Sequence, residues 1–219
     1  MKKLLLWIVA LMSVSVCQAQ DFRKSGKTLD RLVPETWERD TVMGDLNRDG
    51  ILDLVVAARY NDVEIVESDE DMDDEVSDTL HFVVRKLAIY FGGKDGMYTL
   101  VKRSDDVLPD DTDTEYHEIS MSINAKGALI LGYSEWRSMG SSTTGNVSTT
   151  FRYQDGDFYE IGYDTYEFSR MTGEGERVSI NYLTHKKVIE PFNEFEDPEG
   201  KTYKKRTEKI PDEPLQRMD

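Results

Sequence analysis

The chain has 219 residues and carries 43 Asp and Glu against 27 Lys and Arg, a formal charge of −16. A surface this acidic repels phosphate backbones, which excludes nucleic acid as a partner and leaves divalent cations and basic partners open. The single cysteine, Cys17, falls in the N-terminal leader described next, so the remaining chain has no disulfide to lean on and must hold itself together by its core.

Met1, Lys2 and Lys3 lead into the apolar run from Leu4 to Met12, and small and polar residues follow as far as Gln20. That order of charge, apolar run and small residues predicts a secretory signal peptide over 1–19, cut after Ala19. The apolar stretch is too short to span a bilayer, so no transmembrane helix is expected in the mature chain. The product is expected to be exported, either periplasmic or secreted. The alternative is a lipoprotein anchored through Cys17, against which Val16 is bulkier than the small residue expected before an acylated cysteine.

After a polar start with one helical turn around Leu29 to Leu32, stopped by Pro34, short runs rich in Val, Ile, Tyr, Phe and Thr succeed one another. They fall at Thr41–Gly44, Leu52–Tyr60, Leu80–Phe91, Met97–Lys102, Ile119–Ile123, Ala128–Trp136, Val147–Tyr153, Phe158–Tyr163 and Val178–Leu183. Separated by Gly, Asp and Asn, they predict antiparallel strands. Hairpin turns are legible at Gly92–Gly96, Asn124–Gly127 and Gln154–Asp157, where Gly supplies the positive φ. The expected fold is all-β and mainly antiparallel with little helix, a curved meander sheet or β-sandwich, with an incomplete β-propeller as the alternative. Residues 20–193 read as one β domain. An acidic loop interrupts it at 67–78, and a charged, loosely docked tail follows over 194–219. The second acidic segment, Asp105–Glu118, reads like the first as a solvated loop. Trp37 and Trp136 read as core residues.

Only one motif carries chemistry. Asp45-Leu46-Asn47-Arg48-Asp49-Gly50-Ile51-Leu52-Asp53 places oxygen donors at loop positions 1, 3, 5 and 9, with glycine at 6. Calcium takes six to eight hard oxygens, and this spacing wraps a short loop around one ion. Asp45, Asn47 and Asp49 would give side-chain oxygens, Ile51 its carbonyl, and Asp53 the closing carboxylate, directly or through water. A helix-loop-helix hand would need glutamate at position 12, where Val56 stands, so the loop is expected between strands. A tight Asx turn without an ion is the plainer alternative. Calcium affinity as weak as about 10⁻⁴ to 10⁻³ M would still suffice outside the cell.

The segment Gly44 to Leu54 resembles the core of an FG-GAP or VCBS repeat, over about twenty residues. The wider chain, including Arg152-Tyr153-Gln154-Asp155-Gly156 and Ser179 to Thr184, is similar to small exported proteins of Bacteroidetes-like bacteria that carry one such loop and have no assigned activity. The resemblance implies a calcium loop and not a full propeller, since the pattern has no second copy at a fixed period.

No catalytic residue stands out. His81, His117 and His185 lie far apart, and no thiol follows the leader. The expected function is that of a calcium-binding, non-enzymatic envelope module that binds a protein or glycan. The alternative is an envelope hydrolase acting on glycans or peptides through paired carboxylates, recognisable by two acids facing each other in a concave site.

Overall fold

The computed structural model describes residues 21–66, 78–138 and 141–219. The leader with Cys17 and the acidic segment 67–77 lie outside the described residues. Each apolar run becomes a strand, and the strands assemble into two antiparallel sheets. The first sheet is built from β1 (Ser25–Gly26), β2 (Glu38–Gly44), β3 (Asp53–Val66), β4 (Asp78–Gly92) and β5 (Tyr98–Ser104), in the order β1-β5-β4-β3-β2. The second is a meander of β6 (Glu115–Ile123), β7 (Ala128–Arg137), β8 (Thr143–Gln154), β9 (Asp157–Ser169), β10 (Glu174–Asn181), β11 (Lys186–Asn193) and β12 (Arg206–Lys209), each beside its neighbour in sequence. Two sheets packed over a shared core, the first of them curled, make this the expected curved sandwich, and a propeller's radial blades do not form. Helix is confined among the described residues to a 3-10 turn at Leu29–Arg31, at the expected place. No helix of the described residues is long and apolar enough to cross a membrane.

The strand alternation determines two cores. On the inner face of the first sheet, Val55, Ala57, Leu87 and Ile89 meet Leu129, Leu131, Phe151 and Phe158 of the second. On its outer face, Leu54, Val56, Ala88 and Tyr90 are roofed by the chain start through Phe22, Leu32, Val33 and Trp37. Trp37 is the anchor of that roof, edge-on to Phe22 at 5.5 Å and stacked on Tyr60 at 4.8 Å between ring centroids. Burying each such side chain contributes roughly 1.5–3 kcal/mol, which is how a disulfide-free domain can hold.

Three hairpins turn as the sequence predicts, with Gly96, Gly127 and Gly156 at φ 73°, 68° and 85°. Three strands, β1, β11 and β12, lay outside the predicted runs. In β11, Lys186, Lys187 and Glu190 break the pattern and Pro191 argues against a strand. β12 pairs only with residues 186–189, so the missing N–H of Pro191 falls beyond its reach and costs that ladder nothing.

The acidic segment 105–118 corrects an expectation in part, for it is fastened through Asp111 and His117 while Asp105, Asp106, Asp110, Asp113 and Glu118 stay exposed. Asp111 is buried against Arg85 of β4, whose Nη1 and Nη2 donate to the two carboxylate oxygens at 2.7 and 2.6 Å. The same guanidinium donates to the carbonyls of Pro109 and His117, while the His117 backbone N–H and Nδ1 both reach Asp111 Oδ1, at 2.8 and 3.1 Å. The loop is therefore pinned from the first sheet to the start of the second by one satisfied network. The tail, largely exposed over 201–217, is fastened at its end: Glu160 donates its backbone N–H to Gln216, Met218 donates to Phe158, and the Met218 side chain is buried in the inner core.

Burial alone would raise the Asp111 carboxyl, but its bonds to Arg85 and to the His117 N–H outweigh that and hold it below the ordinary 3.8. A depressed folded value means stability that is present above the ordinary range and lost as pH falls through the lowered one. Asp111→Asn should therefore destabilise the protein by about 3–5 kcal/mol at neutral pH and flatten the acid limb of a stability-against-pH curve below about pH 4, as read by urea unfolding. Met218→Ala should cost about 2–5 kcal/mol, the usual cost of an interior cavity.

Candidate functional site

The predicted loop joins β2 to β3 and folds back on itself. Arg48 and Gly50 take positive φ of 64° and 84°, which reverses the chain twice within three residues. Asp45 accepts the N–H groups of Asp49 at 3.1 Å and Gly50 at 2.9 Å, Asn47 accepts that of Asp49 at 3.0 Å, and Asp49 accepts that of Ile51 at 2.8 Å. These bonds hold Asp45, Asn47 and Asp49 at the solvent side of the loop, while Leu46 inserts into the inner core. The Arg48 guanidinium donates to the Lys126 carbonyl at 2.8 Å, so the loop also leans on the β6–β7 turn.

Asp53 behaves differently from the other three. It is wholly buried, and its oxygens accept Leu46 N–H at 2.8 Å, Asn47 N–H at 3.4 Å and, from across the sheet, Gly92 N–H at 3.0 Å. Burial is the strongest influence on its carboxyl and pushes it above the ordinary 3.8, the three N–H donors pull it back in part, and the charge of Asp49 adds to the push. The close approach has a steric requirement at Gly92, where a Cβ would sit 2.3 Å from the Leu52 carbonyl oxygen.

As a metal site the loop has a mixed donor set. Among the described residues no three His, Cys, Asp or Glu side chains converge closely enough to hold an ion by themselves. Asp45, Asp49 and Asp53 also have no ion-pair partner within 4 Å among the described residues, so their charge is left uncompensated. An ion here would draw on the Asn47 amide oxygen and the Ile51 carbonyl as well as the carboxylates.

A second feature was not legible in the sequence. The outer face of the second sheet carries a groove of about 580 Å³ that crosses β6 to β11. Directly opposed residues share a face, so Glu118, Ser134, Asn146, Tyr166, Arg177 and Glu190 form one row across six strands. A parallel row holds Ser120, Gly132, Ser148, Asp164, Ser179 and Val188. Just beyond the groove Tyr116 pairs with Trp136, and both rings are more than half exposed, at 55% and 53%. Trp136 is thus not the core residue expected: the Arg170 guanidinium packs 4.3 Å from its ring centroid, leaving the strand end open to solvent.

This groove tests the hydrolase alternative. Its acids Glu118 and Asp164 are separated by three strand gaps, about 14 Å, and by one row along the strands, about 7 Å more, so their backbone positions stand roughly 16 Å apart. Paired glycosidase carboxylates lie roughly 5–9.5 Å apart. Glu190, the third acid, is ion-paired with Lys205. Away from the groove Glu160 is raised by burial and bonded to Tyr182, with the tail folded over it. No protein-family model, curated protein or solved structure matches this chain.

Gly92→Ala should lower stability by about 1–3 kcal/mol because the new methyl meets backbone oxygen. Asp53→Asn should cost about as much, about 1–3 kcal/mol, by facing an NH2 group toward backbone N–H donors. Thermal or urea unfolding checks both.

Proposed function

We propose that this protein is a non-enzymatic, exported envelope module, of the FG-GAP or VCBS loop type, that binds a protein or glycan and is stabilised by one Ca²⁺ at Asp45–Asp53. The observation that carries the reading is the charge of Asp45, Asp49 and Asp53, three carboxylates within nine residues with no cationic partner among the described residues. Their loop is already ordered by its own backbone donors, so an ion entering it would find oxygens held in place and would relieve their mutual repulsion. Asp45, Asn47, Asp49 and the Ile51 carbonyl would hold the ion, and Asp53, committed to three backbone N–H groups, would close the loop from behind. Bound calcium would supply positive charge and cross-linking in a chain without disulfides, with no chemical step attached. The roughly 16 Å between the backbone positions of the groove's free acids supports a binding role over a hydrolytic one.

Calcium should raise the melting temperature and a chelator lower it, with half the effect at about 10⁻⁴ to 10⁻³ M calcium. Asp49→Ala should abolish the response; an unchanged melting temperature in both experiments would leave the loop as a plain turn. The sign of the pH dependence follows from Asp53. Its raised folded value means that, without metal, its contribution is fully present below the ordinary 3.8 and is lost as pH rises through the raised value. Calcium favours the ionised form, so the calcium-induced rise in melting temperature should grow as pH increases through that window.

A further inference from the structure

The polar lining of the outer-face groove spends almost none of its hydrogen-bonding capacity inside the protein. Ser120, Ser134, Asn146, Ser148 and Ser179 make no side-chain hydrogen bond among the described residues, whereas the serines and asparagines of the turns cap backbone N–H groups. The charges divide in the same way. Arg177 is pinned, its guanidinium 4.3 Å from the Phe192 ring centroid and bonded to the Pro198 carbonyl, and Glu190 is paired with Lys205. Glu118 and Asp164 remain, with no ion pair or hydrogen bond among the described residues. The groove therefore presents two free negative charges, one on β6 at its edge and one on β9 near its middle, joined by a floor of small hydroxyl side chains and the bare backbone of Gly132.

We infer that this groove binds an extended basic peptide segment crossing the strands, with one Lys or Arg on Glu118 and another, four residues along, on Asp164. The inference rests on the binding-module reading and names its partner. Charge decides the class, since the groove lining is net negative, Glu118, Asp164 and Glu190 against Arg177, and a neutral glycan would leave that charge unanswered. Spacing decides the register. An extended chain advances about 3.4 Å per residue with alternate side chains on opposite sides, so positions i and i+4 share a side and stand about 14 Å apart. Flexible Lys or Arg stems cover the rest of the roughly 16 Å between the two backbone positions, whereas an i, i+2 pair, at about 7 Å, would have to splay both stems outward to reach the two acids. The serine hydroxyls and the Asn146 amide can then both donate to and accept from the peptide backbone.

The test is a fluorescence-anisotropy titration of the full chain with labelled peptides carrying Lys at i and i+4, Lys at i and i+2, or Glu at i and i+4. The first should bind more tightly than the second by about threefold, as one exposed ion pair allows, and the third should not bind. Glu118→Gln and Asp164→Asn should each weaken the i, i+4 peptide about threefold, while the double variant Glu208→Gln/Glu213→Gln, which removes twice the charge of either single variant but away from the groove, should leave it unchanged. Equal weakening by that control, indifference to lysine spacing, or tighter binding of a neutral oligosaccharide would each overturn the inference. Oligosaccharide binding would keep the module reading and change only its partner, and calcium melting reports on the loop separately.

Discussion

Arg85 sits inside the molecule on β4, where an unpaired guanidinium would be strongly destabilising. Everything around it is arranged to prevent that. Asp111 meets it with both oxygens, the carbonyls of Pro109 and His117 take further N–H groups, and Asp111 in turn orders the start of β6 through His117. The connection from the first sheet to the second is thereby fixed in direction and length. The inner core forms between sheets whose relative placement this network helps to set, and the loop carrying Asp45 to Asp53 then rests on the β6–β7 turn. A buried ion pair of this kind adds little net stability over an apolar equivalent, whereas removing one partner leaves a buried charge uncompensated.

Asp53 does for the loop what Asp111 does for the crossover. One buried carboxylate gathers N–H groups from the loop start and from the end of β4, so the turn, β3 and β4 close on a single point. The other acidic side chains of the loop are kept at the surface. That division between a structural acid inside and outward acids at the mouth is the arrangement on which the proposed calcium reading rests. It also places the raised carboxyl of Asp53 where a metal and a proton would oppose each other.

The second sheet is asymmetric in its use. The inner side of β6 to β9 supplies the core, while the outer side keeps small polar residues in register across six strands. Seen along the chain these are scattered serines in an alternating pattern, the ordinary outward positions of half-buried strands. Only pairing brings Glu118, Ser134 and Asn146 into one row, because residues that oppose each other across neighbouring strands are distant in sequence.

The local alphabet of the chain was enough to determine the all-β class, nine of the strands in outline, the three hairpins and the place of the Asp45–Asp53 loop between strands. These depend on period-two alternation, on glycines at positive φ and on oxygen spacing, all short-range properties. Tertiary structure decided the rest. It turned Asp105–Glu118 from an acidic stretch into a pinned crossover, because Arg85 lies at least twenty residues earlier in sequence and only folding brings its charge to Asp111. It made strands of β1, β11 and β12, drew Met218 into the core, set Trp136 at the surface and turned Asp53 inward. In each case the deciding partner is far away along the chain, and burial and charge compensation act through space.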